Sequence, residues 1–210
     1  MKRHPSSLPI ALCLLAILGG ALYLRLYGLD WDLGYLFHPD ERQVLLVVDS
    51  LSFPWPPDWR ALLSAKSPWN PGFFAYGSLP IYLLRICAST VGLVDMNYAT
   101  LNLSYVVGRV LSALFDVGTV FLLYLLGRKL FDAAIALLGA LFAALAVLHI
   151  QLSHFYTVDT VLTFWVVLAV LLAVSLSRRP TWRRGLWVGV AWGAALATKV
   201  SALPLLLPVV

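Results

Sequence analysis

Residues 103–129 read LSYVVGRVLSALFDVGTVFLLYLLGRK, an apolar run closed by Arg128 and Lys129. At 1.5 Å per residue, a helix over 103–127 is long enough to cross a hydrocarbon core of roughly 30 Å. Within and just before it, Asn102, Tyr105, Arg109, Ser112, Asp116 and Thr119 recur at steps of three and four. That spacing places them on one helix face. Lipid does not accommodate such a stripe, so it should face the protein interior or a wet cavity.

Four further apolar windows flank this one, at 8–27, 132–150, 157–176 and from Leu186 to Val210. The chain is 61% hydrophobic and 12% charged, against about 45–50% and about 25% in soluble domains. The expected fold is therefore an all-α polytopic membrane helix bundle. It has about five transmembrane helices, with interfacial helices in the first outer loop. The last window ends in apolar sequence, so residues 1–210 read as a single transmembrane domain forming the N-terminal part of a longer protein. The run before Tyr23-Leu24-Arg25 lacks a small-residue cleavage site and reads as an uncleaved anchor. Cys13 and Cys87 suggest no disulfide framework.

The net charge of +5 does not indicate a nucleic-acid partner, because the basic residues follow topology. Lys2 and Arg3 precede the first window, Arg128 and Lys129 follow the second, and Arg178, Arg179, Arg183 and Arg184 separate the fourth from the fifth. With five spans these clusters share one side, which the positive-inside rule makes cytoplasmic. Residues 28–102 then form an extracytoplasmic loop, and it carries seven of the ten acids. Within it, Asp40 to Leu51 reads as an amphipathic helix with Val44, Leu45, Val48 and Leu51 on one face. Pro54-Trp55-Pro56-Pro57 ends that helix. Tryptophans 55, 59 and 69 suit headgroup depth. Leu79 to Val94 reads as an interfacial helix.

The candidate chemistry lies near the outer surface. Asp40 and Glu41 follow the first span, and His154 and Asp159 sit at the turn into the fourth. Arg109 and Lys199 reach a similar depth, roughly 10 Å inside the outer end and roughly 20 Å above the inner end of their spans. Acids at a rim with cations below them suit a lipid-linked phosphate: the cations bind phosphate and a carboxylate takes the proton of a reacting hydroxyl.

These residues, in order, resemble the N-terminal part of polytopic glycosyltransferases of the GT-C fold, closest to the protein O-mannosyltransferase and aminoarabinose transferase group. The resemblance rests on Asp40-Glu41, on Asn70-Pro71-Gly72-Phe73-Phe74 leading into Leu79-Pro80-Ile81-Tyr82-Leu83, and on Gly108-Arg109-Val110-Leu111-Ser112 with Tyr124-Leu125-Leu126-Gly127-Arg128. It extends to Ser153-His154 with Asp159 and Phe164, and to Gly193 with Ala197-Thr198-Lys199. It implies a membrane glycosyltransferase that moves a sugar from a polyprenyl-phosphate donor to an acceptor hydroxyl of a protein, lipid or glycan. The implied setting is the extracytoplasmic face of the plasma membrane. Asp40 would be the base and Glu41 an orienting residue. Arg109 and Lys199 would hold the donor phosphate. Asp159, with His154, would be the second acidic position, serving the donor or a divalent cation (magnesium or manganese). The loop carries Asn70-Pro71-Gly72 where the family has a Pro-Pro stretch, which leaves donor preference open.

Plainer roles stand beside these. Asp40 and Glu41 suit the first turn of a helix, Asp159 suits a cap with Thr157, and Arg109 suits an interior pair with Asp116. Lys199 suits a neighbouring helix, His154 an interface, and His38 and His149 structure. Two other functions fit a charge-lined interior: a transporter, which the lack of an inverted repeat disfavours, and a non-catalytic membrane subunit.

Overall fold

Every element in the computed structural model is helical, and the model describes residues 7–52, 56, 58–64 and 66–206. Lys2-Arg3, Pro54-Trp55, Pro57 and the terminal run 207–210, all used above, lie outside the described residues. The α-helices are α1 Ser7–Leu26, α2 Pro39–Ser50, α3 Trp59–Leu62, α4 Leu79–Val91, α5 Ser104–Leu130, α6 Ala133–Leu145, α7 Val147–Ser153, α8 Val158–Arg178 and α9 Trp182–Thr198. Short 3-10 helices cover Met96–Ala99 and Val200–Leu206.

Local chemistry sets several of these ends. Proline opens both α2 and α4, where its missing N–H costs nothing and its fixed φ suits the first turn. The Asp132 carboxylate accepts the Ile135 N–H at 2.9 Å and starts α6. Thr181 caps α9 in the same way.

The protein is a multi-pass membrane protein. Three helices, Leu8–Leu26, Ser104–Leu130 and Val158–Arg178, are long and apolar enough to cross a bilayer. Helices α6 and α7, bent by 55° at their junction, pass the same length and composition test only as a pair, as one broken span or a re-entrant loop. This differs from the sequence expectation in two places. The expected third span, 132–150, is broken at Ala146, whose ψ of 116° is extended. The expected fifth span, from Leu186 onward, has its α-helix end at Thr198. With 17 residues that helix extends about 25 Å, short of the roughly 30 Å core. The chain turns at Lys199 into a 3-10 segment that contains Pro204. The described spans therefore number three or four rather than five.

Helix α5 is the post around which α1, α4, α6, α7 and α8 pack. Its stripe faces inward as expected: Tyr105, Arg109, Ser112, Asp116 and Thr119 are all buried. Asn102 lies before the helix and is exposed. Small residues let the helices close up. A Cβ on Gly127 would stand 2.9 Å from the Ala136 Cα, and Ala136, Ala140, Ala144 and Ala21 are buried along the α1–α5–α6 seam. The expected amphipathic helix is α2, with Val44, Leu45 and Val48 buried and Leu51 just past its end.

A charged knot explains the break at Ala146. Arg25, alone in the apolar α1 and fully buried, binds Asp116 of α5 through Nε at 2.5 Å. Its Nη1 donates to the carbonyl of Ala144 at 3.0 Å and its Nη2 to that of Ala143 at 3.4 Å. Both carbonyls lie in the last turn of α6, where intrahelical donors run out, and a guanidinium from another helix binds them alongside the Ala146 N–H that also reaches Ala143. The other Asp116 oxygen meets His149 Nδ1 of α7 at 2.6 Å. One carboxylate thus ties both halves of the broken span to α1.

Removing one partner of a buried pair leaves an uncompensated charge, which costs about 3–5 kcal/mol. Arg25→Met is expected to lower stability by that amount in detergent-solubilised protein, measured by thermal or denaturant unfolding. Arg25→Met with Asp116→Leu should recover part of it, since apolar replacement of a whole buried pair is often neutral. A double variant as unstable as the sum of the singles would refute the coupling.

Candidate active site

The segment 27–41 sets the geometry. Asp32 folds the loop after α1 around itself, accepting the Gly34 N–H at 3.2 Å and the Leu36 N–H at 3.1 Å. The tight path forces Leu33 and Leu36 to φ of 50° and 53°, a conformation that costs a non-glycine residue roughly 1–2 kcal/mol. Arg109 of α5 locks the loop in place. Its Nη1 and Nη2 each lie 2.8 Å from an Asp32 oxygen. Its Nε and Nη2 lie 2.9 and 2.8 Å from the two Glu41 oxygens. The remaining Nη1 proton goes to the Leu29 carbonyl at 2.6 Å. A guanidinium has five N–H donors, and all five are used. All three charged side chains are fully buried. Glu41 also accepts the Tyr156 backbone N–H at 2.9 Å.

Two of the expected site residues are therefore in the frame. Arg109 has no donor left for a phosphate, and it pairs with Asp32 and Glu41 rather than with Asp116. Glu41 is closed off from any cavity. Its carboxylate fixes the first turn of α2 so that the preceding residue, Asp40, is presented on the half-exposed side. His154 is also in the frame: its ring nitrogens lie 2.8 and 2.9 Å from the carbonyl oxygens of Ile150 and Tyr27.

The other three expected residues converge. Lys199 Nζ lies 3.2 Å from Asp159 Oδ1, with both side chains about one-third exposed or more. The same ammonium stands 5.6 Å from the centroid of the Tyr76 ring. The Tyr76 hydroxyl in turn lies near enough to the Asp40 carboxylate to feel its charge. Asp40, Tyr76, Lys199 and Asp159 thus form one partly exposed chain of groups. Burial, and then the Asp40 carboxylate, raise the Tyr76 hydroxyl above its usual 10.0. It is therefore protonated at neutral pH, beside the Asp40 carboxylate.

Tyr76 carried no motif in the sequence. The signal that could have found it is its neighbour Gly77. The Gly77 N–H donates to the Thr198 carbonyl at 2.9 Å, and a Cβ there would lie 1.9 Å from the Ala197 carbonyl oxygen. Only glycine permits this approach, and it docks the loop on the end of α9 beside Lys199. An aromatic group adjoins Asp40 as well. His38 and Phe155 lie 4.6 Å apart, Trp31 meets Phe155 edge-on at 5.7 Å, and Tyr35 stacks on Phe37 at 5.8 Å.

The open site offers two carboxylates, Asp40 and Asp159. Among the described residues no three His, Cys, Asp or Glu side chains converge on one point, and of the two carboxylates here Asp159 already carries a lysine.

The knot and the open cluster are expected to separate by experiment. Arg109→Gln, which strands two buried carboxylates, should cost about 3–5 kcal/mol of stability. Asp40→Asn, which keeps an acceptor for Tyr76, should change it by about 1 kcal/mol or less. Arg109 and its hydrogen bonds hold the Asp32 carboxyl below its usual 3.8 against the opposing effect of burial. A depressed carboxylate contributes stability above the unfolded value and loses it as pH falls through the folded one. Wild-type stability should thus drop below pH 3.8, and Asp32→Asn should flatten that drop. Unfolding curves of the variants across pH 3–7 decide it, and equal losses for Arg109→Gln and Asp40→Asn would refute the division.

A family profile described as dolichyl-phosphate-mannose-protein mannosyltransferase matches residues 98–210. Searches of curated proteins and of solved structures gave no significant match. The match spans more than half of the chain, so the chain belongs to this family of membrane glycosyltransferases.

Proposed function

We propose that this member of the mannosyltransferase family transfers a sugar from a polyprenyl-phosphate donor to an acceptor hydroxyl, at the membrane face where Asp40, Tyr76, Asp159 and Lys199 meet. The convergence of these four residues is the observation that carries the reading. The positive-inside distribution of Arg128, Lys129 and Arg178 to Arg184 supports an extracytoplasmic position for that face, with the N-terminus cytoplasmic in a plasma membrane. Phe74 and Ser78, on either side of Tyr76, line a cavity of about 350 Å³ together with Trp69, Pro71 and Tyr82. That is the size of a small-ligand pocket.

In this mechanism the acceptor oxygen attacks the anomeric carbon. Its proton passes to the Asp40 carboxylate as the new C–O bond forms. The bond from the anomeric carbon to the phosphate oxygen breaks, and the electron pair leaves with the polyprenyl phosphate. Lys199 stabilises the charge that grows on that phosphate. Asp159 holds the ammonium in place between turnovers, and Tyr76 fixes the rotamer of Asp40. Arg109 and Glu41 act at one remove, by holding the loop and α2. No step calls for a metal ion.

Asp40→Asn in the full-length, membrane-inserted protein is expected to lower the transfer rate about 10²–10⁴-fold. Lys199→Gln should lower kcat about 10²–10³-fold. Both are read with a radiolabelled polyprenyl-phosphate sugar in proteoliposomes. Wild-type turnover by Asp40→Asn would overturn the assignment of the base. Donor flux without a covalent product would favour a transporter instead.

A further inference from the structure

The opposite end of the bundle carries a second polar site that the transfer chemistry does not use. There α5 ends on Arg128 and Lys129, α8 ends on Arg178, and α9 begins at Trp182. Lys129, Ser175, Arg178, Arg179 and Arg184 enclose an opening of about 230 Å³. Four of these five residues are cations and none is acidic.

The arrangement is built rather than diffuse. The Arg178 guanidinium donates to the Lys129 carbonyl and bridges α8 to α5. Arg184 Nη1 donates to the carbonyls of Ser175 at 3.1 Å and Arg179 at 2.8 Å, closing the turn between α8 and α9. These bonds orient the side chains without neutralising them. Among the described residues no carboxylate pairs with any of the four, and the nearby Asp132 is engaged at the start of α6. Like charges held together repel one another, so the arrangement favours a bound anion.

Depth identifies the anion's source. Trp182 and Trp187 are largely exposed on α9, and the Arg183 guanidinium stacks over Trp182 at 5.5 Å. Amphipathic rings of this kind mark headgroup level. The opening is smaller than a typical drug-sized pocket, which suits a headgroup phosphate rather than a whole sugar donor. Helix α8 runs 21 residues from beside Asp159 to Arg178, which separates the two sites by about 30 Å. We infer that this pocket binds the phosphate of an anionic glycerophospholipid, in the leaflet opposite the transfer site.

The test is native mass spectrometry of the full-length protein released from micelles containing phosphatidylglycerol, phosphatidylcholine or inorganic phosphate. Wild type is expected to retain one phosphatidylglycerol. Arg178→Gln with Arg184→Gln should weaken that retention at least tenfold. Arg183→Gln removes a charge just outside the pocket and should leave retention within twofold. Should the double variant show a lowered melting temperature, Arg179→Gln, whose side chain is exposed, is expected to weaken retention severalfold on its own. Equal weakening by Arg183→Gln would overturn the site in favour of a diffuse surface potential. Retention of phosphatidylcholine or inorganic phosphate as strong as that of phosphatidylglycerol would overturn the anionic-lipid assignment.

Discussion

Everything at the proposed transfer site depends on one buried guanidinium. Arg109 takes a carboxylate on each side, Asp32 from the loop and Glu41 from α2, and no donor is left over. The three side chains carry a formal charge of −1. The N–H groups of Gly34, Leu36 and Tyr156 add hydrogen bonds to the two carboxylates. A buried ion cluster is weak evidence for net stability but strong evidence for a specified geometry, since losing one member is costly. Here the geometry is the entry angle of α2. That angle decides whether Asp40 faces Tyr76 or lipid.

The second knot performs the same service for the helices. A span of Ala and Leu with no polar partner has no reason to break at Ala146. Arg25 supplies the reason by satisfying the carbonyls of Ala143 and Ala144. The break then turns α7 so that His149 reaches Asp116 and the chain re-enters at α8 with Asp159 at its first turn. The two knots lie on one stripe of α5, at Arg109 and Asp116. The post that holds the bundle therefore also registers the loop and the broken span against each other.

Much of this was legible in the sequence. The inward stripe of α5 followed from its spacing alone, because burial of charge in lipid is so costly that it leaves one orientation. The amphipathic α2 was legible for the same reason, in its pattern of valines and leucines. The resemblance named Asp40, Asp159 and Lys199, and in the fold Lys199 contacts Asp159 while Tyr76 lies between Lys199 and Asp40. Other features needed three dimensions. The partners of Arg109 and Asp116 lie between 33 and 91 residues away in sequence, and nothing in local periodicity selects Asp32 or Arg25 among the available charges. Tyr76 was hidden because one loop aromatic resembles another until Gly77 is seen packed on α9. The end of α9 was hidden because an apolar run does not show where its hydrogen bonding changes from α to 3-10.

Exposure then sorts the charges by task. Arg25, Asp32, Glu41, Arg109 and Asp116 have no accessible surface or almost none, and each is saturated with partners. Groups so placed hold structure and cannot meet a substrate without unfolding part of the bundle. Asp40, Tyr76, Asp159 and Lys199 are half-exposed and joined by single contacts. In the proposed transfer, a carboxylate that takes a proton, and an ammonium that exchanges a carboxylate for a phosphate, need that looseness. The saturated set is rigid and the open set is replaceable, and the peptide bond between Asp40 and Glu41 joins the two. That adjacency is the physical content of the acidic pair: one member anchors to the frame so that the other is held at a fixed point in the open cleft.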